Sequence, residues 1–477
     1  MSQINQLHFS FKLLRPFALI LVLALSCQPA KTQDPLGQKV DQLFKKWDKP
    51  NTPGVTVAVV RNGEVIHSNG YGMANLEYDI PNEPSTIFHI ASVSKQFTNF
   101  AVLLLAEEGK VSMDDDIRKY IPEVPDFGKR ITLRHLATHT SGMRDQWNLL
   151  AMAGWRLDDV ITKEHIMKLV AKQQDLNFEP GEEYLYCNTG YTLLAEVVAR
   201  VSGDSFAEFT QERIFKPLGM ERTLFYDDHE KIVPGRAYSY YKRRREYKKK
   251  KLNYANVGAT SLFTTVEDLA KWAINFETPK VGSVETMRQM HTRGILNNGD
   301  TITYALGQGI SKYKGLNRVS HSGGDANFRT YLARFPDQRF SVMIFSNGAG
   351  INPGEMGMKI TDIYLKDEFT GRDNNTEVIT NTRPEKVPMP RPEADYTGTY
   401  YSPELSTAYE IKFIKGRLIA EHMRHKDIRL NHSTGDTFRT QSWFFGNVEF
   451  VANEQGQVTQ MLVSSGRVRN VRFNKMD

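Results

Sequence analysis

Cysteine is scarce in this chain, with only Cys27 and Cys187 among 477 residues. If Cys27 is modified by a lipid, an exported protein has no disulfide available, and its fold depends on the hydrophobic core alone. The chain also lacks a strong excess of either charge, because 61 Lys and Arg residues stand against 55 Asp and Glu residues. A formal net charge of +6 is mildly basic and does not by itself indicate nucleic-acid binding.

Long apolar runs are also missing, except for one near the N-terminus. Lys12 and Arg15 precede an apolar run over residues 17–25, which is typical of a secretory signal and too short for a good membrane span. A short membrane-anchor helix is the alternative. Leu25-Ser26-Cys27 resembles a bacterial lipobox, although Ala24 stands where leucine is usual. We therefore expect an exported protein of the bacterial cell envelope, in the periplasm and anchored to a membrane through a lipid on Cys27.

The composition is globular, with 40% hydrophobic and 24% charged residues, and the length suits two domains. Helical and strand-like patterns alternate up to about residue 368. A proline-containing polar segment follows, and the short alternating strands beyond it predict a small all-β domain of the barrel type. The predicted strands are Tyr396–Tyr401, Tyr409–Ile414, Arg417–His422, Thr437–Phe445, Val448–Ala452, Val458–Ser464 and Val468–Lys475. The predicted divisions are a signal peptide (1–27), a tether (28–40), a larger domain with helices and strands (41–368), a linker (369–392) and a C-terminal β-domain (393–477).

The segment Ile90–Lys95 has the pattern Ser92-x-x-Lys95, at the start of an apolar helical pattern over Val93–Glu108. On a helix, positions three apart lie on one face, so the two side chains point the same way. A serine hydroxyl is a weak nucleophile until a neighbouring base removes its proton. A lysine acts as that base only when burial or nearby cations lower its pKa. Most occurrences of this pattern have no catalytic role, so other motifs in the chain must show whether this one is catalytic.

Two other polar stretches contain residue types that could bind a metal, but we predict neither a metal nor a cofactor. His135 and His139, within Thr132–Met143, are four residues apart and could share a metal, but no third ligand lies nearby in the sequence. Thr132 can cap a short helix, and a structural role is favoured for both histidines. The three adjacent acids over residues 114–116 have no ligand spacing and are typical of a turn and helix cap.

Two further motifs follow in the chain. Tyr186 and Asn188 are two residues apart, so in an extended loop both side chains project to one side, and a helical pattern follows from about Thr192 to Val201. His321-x-Gly323 precedes an apolar strand pattern. With Ser92-x-x-Lys95 and the Thr132–Met143 stretch, these motifs resemble those of the serine β-lactamase-like family across residues 35–365. That family includes class C β-lactamases, D-Ala-D-Ala carboxypeptidase B, D-aminopeptidases and certain esterases.

The resemblance implies a mixed α/β (α+β) fold, with an antiparallel sheet flanked by helices, a helical subdomain and a cleft at their junction. The C-terminal domain resembles the lipocalin-like β-domains appended to some members. By matching positions, Ser92 is implied as the acylated nucleophile and Lys95 as its base. Tyr186 is implied to relay protons, either as a phenolate or through Lys95. The backbone N–H groups of Ser92 and Gly324 are implied to form the oxyanion hole.

The resemblance also implies substrate-binding residues. Asn188 would hold the substrate amide, and His321 and Gly323 would lie on the strand that lines the cleft. β-Lactamases have lysine where this chain has His321, and a largely neutral imidazole would bind the penicillin carboxylate less well. The resemblance therefore favours a serine hydrolase acting on D-amino-acid-containing peptides or on carboxylic esters. A class C-like β-lactamase or penicillin-binding protein is the alternative, and a non-catalytic envelope scaffold is the alternative from another class.

The segment Lys242–Lys251 is strongly basic, because eight of its ten residues are Lys or Arg. A nucleic-acid patch is one interpretation, but an exported protein rarely meets nucleic acid, so we expect no such partner. A solvated hairpin tip is the simplest interpretation. Attraction to an anionic envelope surface is the third, since so dense a cluster repels itself unless an anion is near. The other expected partner is a small-molecule or peptide substrate.

Overall fold

The computed structural model describes residues 35–371 and 389–476. The predicted signal peptide, Cys27 and residues 372–388 of the predicted linker lie outside the described residues. The predicted tether over residues 28–40 is wrong in its last part, because a helix begins at Pro35 and runs to Phe44. Val40 and Phe44 of this helix are fully buried, and this burial holds the segment against the larger domain.

The described strands are numbered in chain order. Those of the larger domain are β1 (Val55–Arg61), β2 (Glu64–Tyr71), β3 (Met73–Asn75), β4 (Ile80–Pro81), β5 (Phe88–His89), β6 (Leu224–Phe225), β7 (Ser239–Arg243), β8 (Glu246–Lys250), β9 (Leu262–Thr264), β10 (Gly309–Tyr313), β11 (Leu316–Asp325), β12 (Phe328–Phe335) and β13 (Phe340–Ser346). Those of the C-terminal domain are β14 (Gly398–Ser402), β15 (Thr407–Ile414), β16 (Arg417–Glu421), β17 (Ile428–Thr434), β18 (Thr437–Arg439), β19 (Asn447–Ala452), β20 (Val458–Ser465) and β21 (Val468–Lys475).

The described α-helices are α1 (Pro35–Phe44), α2 (Lys95–Glu107), α3 (Leu133–Ala137), α4 (Gln146–Met152), α5 (Lys163–Val170), α6 (Asn188–Ser202), α7 (Phe206–Thr210), α8 (Lys216–Leu218), α9 (Val266–Asn275), α10 (Val284–Met290), α11 (Pro353–Leu365) and α12 (Glu393–Tyr396). A π-helical turn, Gln211–Phe215, joins α7 to α8. Within the described ranges, no helix combines the length and apolar character needed to cross a bilayer.

A six-stranded antiparallel sheet organises the larger domain, in the order β10-β11-β12-β13-β1-β2. The sequence of β1, VTVAVVR, is apolar at nearly every position because the strand is buried on both faces. Helices α1 and α11 pack on one face, and α9 packs on the other beside the long buried helix α2. This architecture confirms the predicted mixed α/β fold.

The strands β14–β21 form a closed eight-stranded barrel, as the alternating pattern predicts. The sequence prediction missed β17, whose second half, Asn431–Thr434, carries only polar side chains. It also extended β18 to Phe445, whereas that strand ends at Arg439. A turn follows, closed by the Thr440 N–H bond to the Gly446 carbonyl, and it carries Trp443 toward the larger domain.

The barrel is joined to the larger domain around α4. Arg144, just before α4, donates two hydrogen bonds to the Glu404 carboxylate at 2.9 and 2.7 Å, and both side chains are buried. The Tyr409 hydroxyl donates to the Met152 carbonyl at the end of α4. These contacts place the turn between β20 and β21 at the edge of the cleft described below.

The basic segment Lys242–Lys251 forms most of the hairpin β7–β8, with Arg244 in a left-handed conformation at the turn. Its cations are largely exposed, and two are paired: Lys248 with Glu246 and Lys249 with Glu77. The hairpin geometry agrees with the sequence, and the attraction to an anionic surface stays a prediction.

Candidate active site

Ser92 lies in a 3-10 turn, Ala91–Ser94, that leads directly into α2. The helix was predicted to begin at Val93 and begins at Lys95. Ala91 has φ of 49°, a left-handed conformation that a non-glycine residue adopts at a cost. Two hydroxyls fix this turn: Thr330 donates to the Ile90 carbonyl at 2.8 Å, and Ser94 donates to the Ala91 carbonyl.

Gly323 explains how β11 reaches this turn. A Cβ atom at Gly323 would lie 2.2 Å from the Thr330 hydroxyl and 2.3 Å from the Ile90 carbonyl oxygen. The strand therefore passes against the backbone before Ser92 only because this residue has no side chain. Gly323 was predicted to bind substrate, but the structure buries it behind the turn, where it sets the distance between β11 and Ser92. Gly324, the next residue, lines the cleft.

Lys95 makes three contacts that define its chemistry. Its amine lies 3.2 Å from the Ser92 hydroxyl, 2.9 Å from the Asn188 side-chain oxygen and 2.7 Å from the Ala259 carbonyl. The last two groups only accept hydrogen bonds. A neutral amine has two hydrogens and one lone pair, so donation to these two oxygens directs the lone pair at Ser92. The arrangement suits proton transfer from the serine to the lysine.

The charge state of Lys95 is set by its surroundings. Complete burial, and after it the positive charge of Arg467, lower the pKa of its amine to about 7. The carboxylates of Asp145 and Asp325 act in the opposite direction. A substantial share of the molecules therefore carries a neutral lysine near pH 7, whereas an exposed lysine would be almost fully protonated.

The Tyr186 hydroxyl is buried beside Ser92 and makes no hydrogen bond of normal geometry with any described residue. Its ring packs on the His139 imidazole, with 4.1 Å between ring centroids. Burial raises the pKa of Tyr186, and the Ser92 hydroxyl opposes this only in part. The tyrosine is therefore a neutral phenol with a free O–H group at the site. His139 is fixed below it by the hydrogen bond from the Cys187 N–H.

Asn188 is the first residue of α6, whereas the sequence predicted an extended loop with the helix beginning near Thr192. Asp145 explains the earlier start, because its carboxylate accepts hydrogen bonds from the backbone and side-chain nitrogens of Asn188 at 2.8 and 2.7 Å. The same contact fixes the amide orientation, with the side-chain oxygen facing Lys95. Asn188 therefore orients the lysine, in addition to the predicted contact with substrate.

His321 lies on β11 at the side of the cleft and is largely buried. Its Nδ1 lies 2.7 Å from the Ser322 carbonyl, which can only accept, so this nitrogen carries the hydrogen. Nε2 then accepts from the Tyr304 hydroxyl at 3.0 Å. Burial, reinforced by the charge of Lys95, lowers the pKa of His321 to about 3. The imidazole is therefore neutral at physiological pH and supplies no positive charge to the cleft.

Together these side chains border a cleft of about 710 Å³. Its walls come from both domains, and its lining residues are Ser92, Trp147, Asn148, Leu157, Tyr186, Asn188, Thr260, His321, Ser322, Gly324, Asp325, Trp443, Gly466 and Arg467. The three sequence motifs thus meet at one place, as predicted. A family model described as Beta-lactamase matches residues 40–362. The chain belongs to the Beta-lactamase family. A second model, described as Domain of unknown function (DUF3471), matches residues 382–475.

Curated relatives of this Beta-lactamase family member match the larger domain. Penicillin-binding protein 4* of Bacillus subtilis is 29% identical over 322 residues, which are 64% of this chain and 70% of that protein. D-aminopeptidase of Gluconobacter oxydans is 26% identical over 295 residues, which are 62% of this chain and 56% of that protein.

Solved structures share the fold. The octameric penicillin-binding protein homologue from Pyrococcus abyssi has a TM-score of 0.62 at 23% identity, covering 93% of this chain and all of that chain. The D-amino acid amidase from Ochrobactrum anthropi has a TM-score of 0.60 at 19% identity, covering 70% of this chain and all of that chain. At these identities, the likeness shows the fold alone.

The residues that the barrel brings to the cleft of this Beta-lactamase family domain were not predicted from the sequence. Arg467 lies at the β20–β21 turn with its guanidinium carbon 4.6 Å from the centroid of the Tyr186 ring. Trp443, half exposed, lines the same cleft from the turn after β18. Neither residue belongs to a local motif, and neither lies within 250 residues of the Tyr186 motif along the chain. The packing of the barrel against the larger domain places them.

Asp325 is a second residue that the sequence did not indicate. It follows the His321 motif on β11, and its carboxylate accepts hydrogen bonds from the Thr260 hydroxyl at 2.9 Å and from the Tyr254 hydroxyl. His89 Nε2 lies 3.3 Å from the same carboxylate. This network ties β11 to the segment before Ser92 and to the Ala259–Thr260 backbone that holds Lys95.

Proposed function

We propose that this chain is a serine hydrolase that acts through an acyl-enzyme on an amide or ester. D-amino-acid-containing peptides and carboxylic esters are the proposed substrates. The contacts of Lys95 carry the proposal, because two acceptors take its hydrogens and leave its lone pair facing the Ser92 hydroxyl oxygen, 3.2 Å from the amine nitrogen. The names of a D-aminopeptidase and a D-amino acid amidase among the similar proteins support the same class.

In the acylation step, the Ser92 oxygen attacks the substrate carbonyl carbon while its proton passes to the neutral Lys95 amine. The carbonyl oxygen becomes an oxyanion, which the backbone N–H groups of Ser92 and Gly324 stabilise. The intermediate collapses when the bond to the leaving group breaks. The Lys95 ammonium returns the proton to the leaving nitrogen or oxygen through the Tyr186 hydroxyl, which is free to donate and to accept.

In the deacylation step, water attacks the acyl carbon and gives its proton to the same base. The bond from the acyl carbon to the Ser92 oxygen breaks, the serine recovers a proton, and a carboxylic acid leaves. Of the two proton routes that the resemblance leaves open, the raised pKa of Tyr186 favours the route through Lys95 over a resting phenolate. The neutral His321 supports a peptidase or esterase over a β-lactamase.

The direct test is labelling with a fluorophosphonate probe, followed by turnover of p-nitrophenyl esters, D-amino-acid amides and nitrocefin. We expect the probe to attach to Ser92 and at least one ester or amide to be hydrolysed. Labelling at another residue, or a protein that neither reacts nor turns over any of the three classes, would contradict the proposal.

The pH profile of kcat/KM is expected to report the titration of Lys95. Its lowered pKa means that the neutral, basic form is lost as the pH falls below about 7. The rate should therefore fall about tenfold per pH unit below that point and level off above it. Lys95→Arg serves as the control. Its guanidinium stays protonated, so this variant should be inactive at every pH. A flat profile between pH 5 and 9 would show that Lys95 is not the base.

We further propose that the protein is exported and attached to the envelope through Cys27. The basic residues, the apolar run and the Leu-Ser-Cys sequence support this location. Cys27→Ser should leave the precursor unprocessed or release the protein into the soluble fraction, since stable anchoring needs more than one acyl chain. Membrane fractionation with mass spectrometry of the mature N-terminus checks the outcome. Unchanged processing and unchanged membrane association would rule out lipidation at Cys27.

A further inference from the structure

The turn between β20 and β21 extends from the barrel into the cleft and carries Arg467 at its tip. We propose that Arg467 binds a carboxylate of the substrate close to the bond that is cleaved, so that the C-terminal barrel selects anionic substrates for the nucleophile of the larger domain. This inference rests on the proposed function, because it names the substrate class of the same site.

The guanidinium of Arg467 has donors to spare. Its closest recorded ionic contact is with the Asp145 carboxylate, 3.9 Å away, which is too long for a good hydrogen bond. The oxygen of Asp145 that it faces already accepts two hydrogen bonds from Asn188. Among the described residues, no hydrogen-bond partner is recorded for the Arg467 side chain, and that side chain is 44% exposed. Five N–H donors therefore border the cleft with little to bind.

The charges around the cleft leave one position for an anion. Lys95 is the proton acceptor of the reaction and loses its charge above pH 7, and His321 is neutral. Asp325 is already bonded to neighbouring hydroxyls. Among the described residues that line the cleft, Arg467 is thus the permanent cation. A substrate carboxylate entering the cleft would find its charge partner there.

Arg467 is also held close to the reacting groups. Its guanidinium carbon lies 4.6 Å from the centroid of the Tyr186 ring, and the Lys95 amine lies 5.0 Å from the same centroid. A group bound to Arg467 is therefore near Ser92, which contacts that lysine. A short side chain on either side of the scissile bond can span this separation.

The backbone of the turn is fixed before any ligand arrives. The Arg467 carbonyl accepts hydrogen bonds from the Asn177 side chain at 3.0 Å and from the Asp145 N–H at 3.4 Å. Asn177 also accepts from the Arg469 N–H, and the Arg469 side chain forms two hydrogen bonds with Glu183. Such anchoring reduces the ordering cost of binding, because the backbone that carries the arginine is already positioned.

A carboxylate fits this position better than a phosphate. The planar guanidinium presents paired N–H groups that match the two oxygens of a carboxylate. Asp145, 3.9 Å away, offsets part of the positive charge, which disfavours a dianion. The substrate class is therefore a peptide or ester with a free carboxylate on the residue next to the scissile bond.

Calorimetry on the full chain tests the site without relying on turnover. The Ser92→Ala protein is titrated with N-acetyl-D-alanyl-D-alanine and with its C-terminal amide, which differ in one charge. We expect the acid to bind about 10- to 100-fold more tightly, as hydrogen bonds to a charged group imply. Adding Arg467→Gln should remove most of this preference, and Arg467→Lys should retain part of it.

Arg472→Gln is the matched control, because Arg472 lies on β21, the strand that follows the turn with Arg467. It is exposed, pairs with Asp175 and does not line the cleft. It should keep the preference of the parent protein. Equal binding of the acid and the amide, no binding of the acid, or an unchanged preference after Arg467→Gln would overturn the proposal.

Two readouts separate this inference from the proposed function and from misfolding. Failure of the proposed function appears as absence of turnover by the protein that retains Ser92, whatever the calorimetry shows. Thermal unfolding checks that Arg467→Gln is folded. If Arg467→Gln is unfolded, two other measurements test the role of Arg467. The first is the preference of Arg467→Lys for the acid over the amide, and the second is the weakening of that preference by salt in the Ser92→Ala protein. A preference that neither substitution nor salt reduces would overturn the role of Arg467.

Discussion

Ser92→Ala is expected to lower kcat/KM by about 10⁴- to 10⁶-fold on any ester or amide that the unchanged protein hydrolyses. The substitution deletes the oxygen that we propose forms the acyl-enzyme, and it leaves the remaining contacts of Lys95, with Asn188 and Ala259, in place. Residual activity would come from the oxyanion hole and substrate binding alone. Burst kinetics with a p-nitrophenyl ester and intact-protein mass spectrometry measure both the rate and the acyl adduct.

The same experiment includes two comparisons. Ser85→Ala removes a hydroxyl that hydrogen-bonds only weakly to Glu83 at the surface, and it should leave the rate unchanged. Adding Lys95→Met to Ser92→Ala should lower kcat/KM only a little further, because the two groups act as one unit and their effects do not add. A Ser92→Ala protein that still hydrolyses the ester at a comparable rate, or still forms the adduct, would exclude Ser92 as the nucleophile.

The sequence alone predicts contacts in the site between residues that lie only a few positions apart along the chain. Ser92 and Lys95 are three residues apart at a helix start, so local geometry alone brings their side chains together. Their separation of 3.2 Å agrees with that argument. The third motif, around His321, reaches them because β11 runs along the turn that carries Ser92. That meeting was predicted from a family resemblance and could not have been derived from periodicity.

The parts that the sequence did not predict depend on contacts between distant segments. Asn188 begins a helix because Asp145, 43 residues away, accepts two of its hydrogen bonds. Gly323 allows β11 to pack against the backbone before Ser92, because the Ile90 carbonyl occupies the space where a side chain would be. Arg467 enters the cleft because the barrel docks on α4. Each outcome requires the tertiary structure, since no local pattern encodes which partner a polar residue will meet.

The docking of the barrel also bears on the chemistry of Lys95. After burial, the charge of Arg467 is the largest influence that lowers the lysine pKa. The barrel therefore helps to keep the Lys95 amine neutral while presenting the guanidinium that we propose for substrate binding. Detaching the barrel should affect both properties at once, which makes the contacts between the two domains part of the function.

Arg144→Met is expected to lower the free energy of unfolding by about 3–5 kcal/mol, the largest stability effect that we predict. Arg144 and Glu404 are 1% and 2% exposed, and the guanidinium also donates to the carbonyls of Arg469 and Asn470. Removing the arginine leaves the Glu404 carboxylate buried without its partner. Denaturant unfolding of the full chain, followed by tryptophan fluorescence, measures the loss.

Three comparisons distinguish a buried ion pair from general loss of packing. The double variant Arg144→Met/Glu404→Leu should recover most of the stability, because replacing both charges removes the unpaired carboxylate. Arg424→Met breaks an exposed pair with Asp159 across the same boundary and should cost about 0–1 kcal/mol. If the double variant were no more stable than Arg144→Met, the pair would not be the cause.

The pH dependence supplies the third comparison. Burial raises the pKa of Glu404 even beside Arg144, and loss of the arginine should raise it further. A carboxyl group whose pKa is raised in the folded state binds protons more readily there than in the unfolded state, so its destabilising effect grows as the pH rises. The loss of unfolding free energy in Arg144→Met should therefore be smaller near pH 5, where Glu404 is more often protonated, than at pH 8. A deficit that stays constant or grows toward acid pH would contradict this account of how the barrel is held.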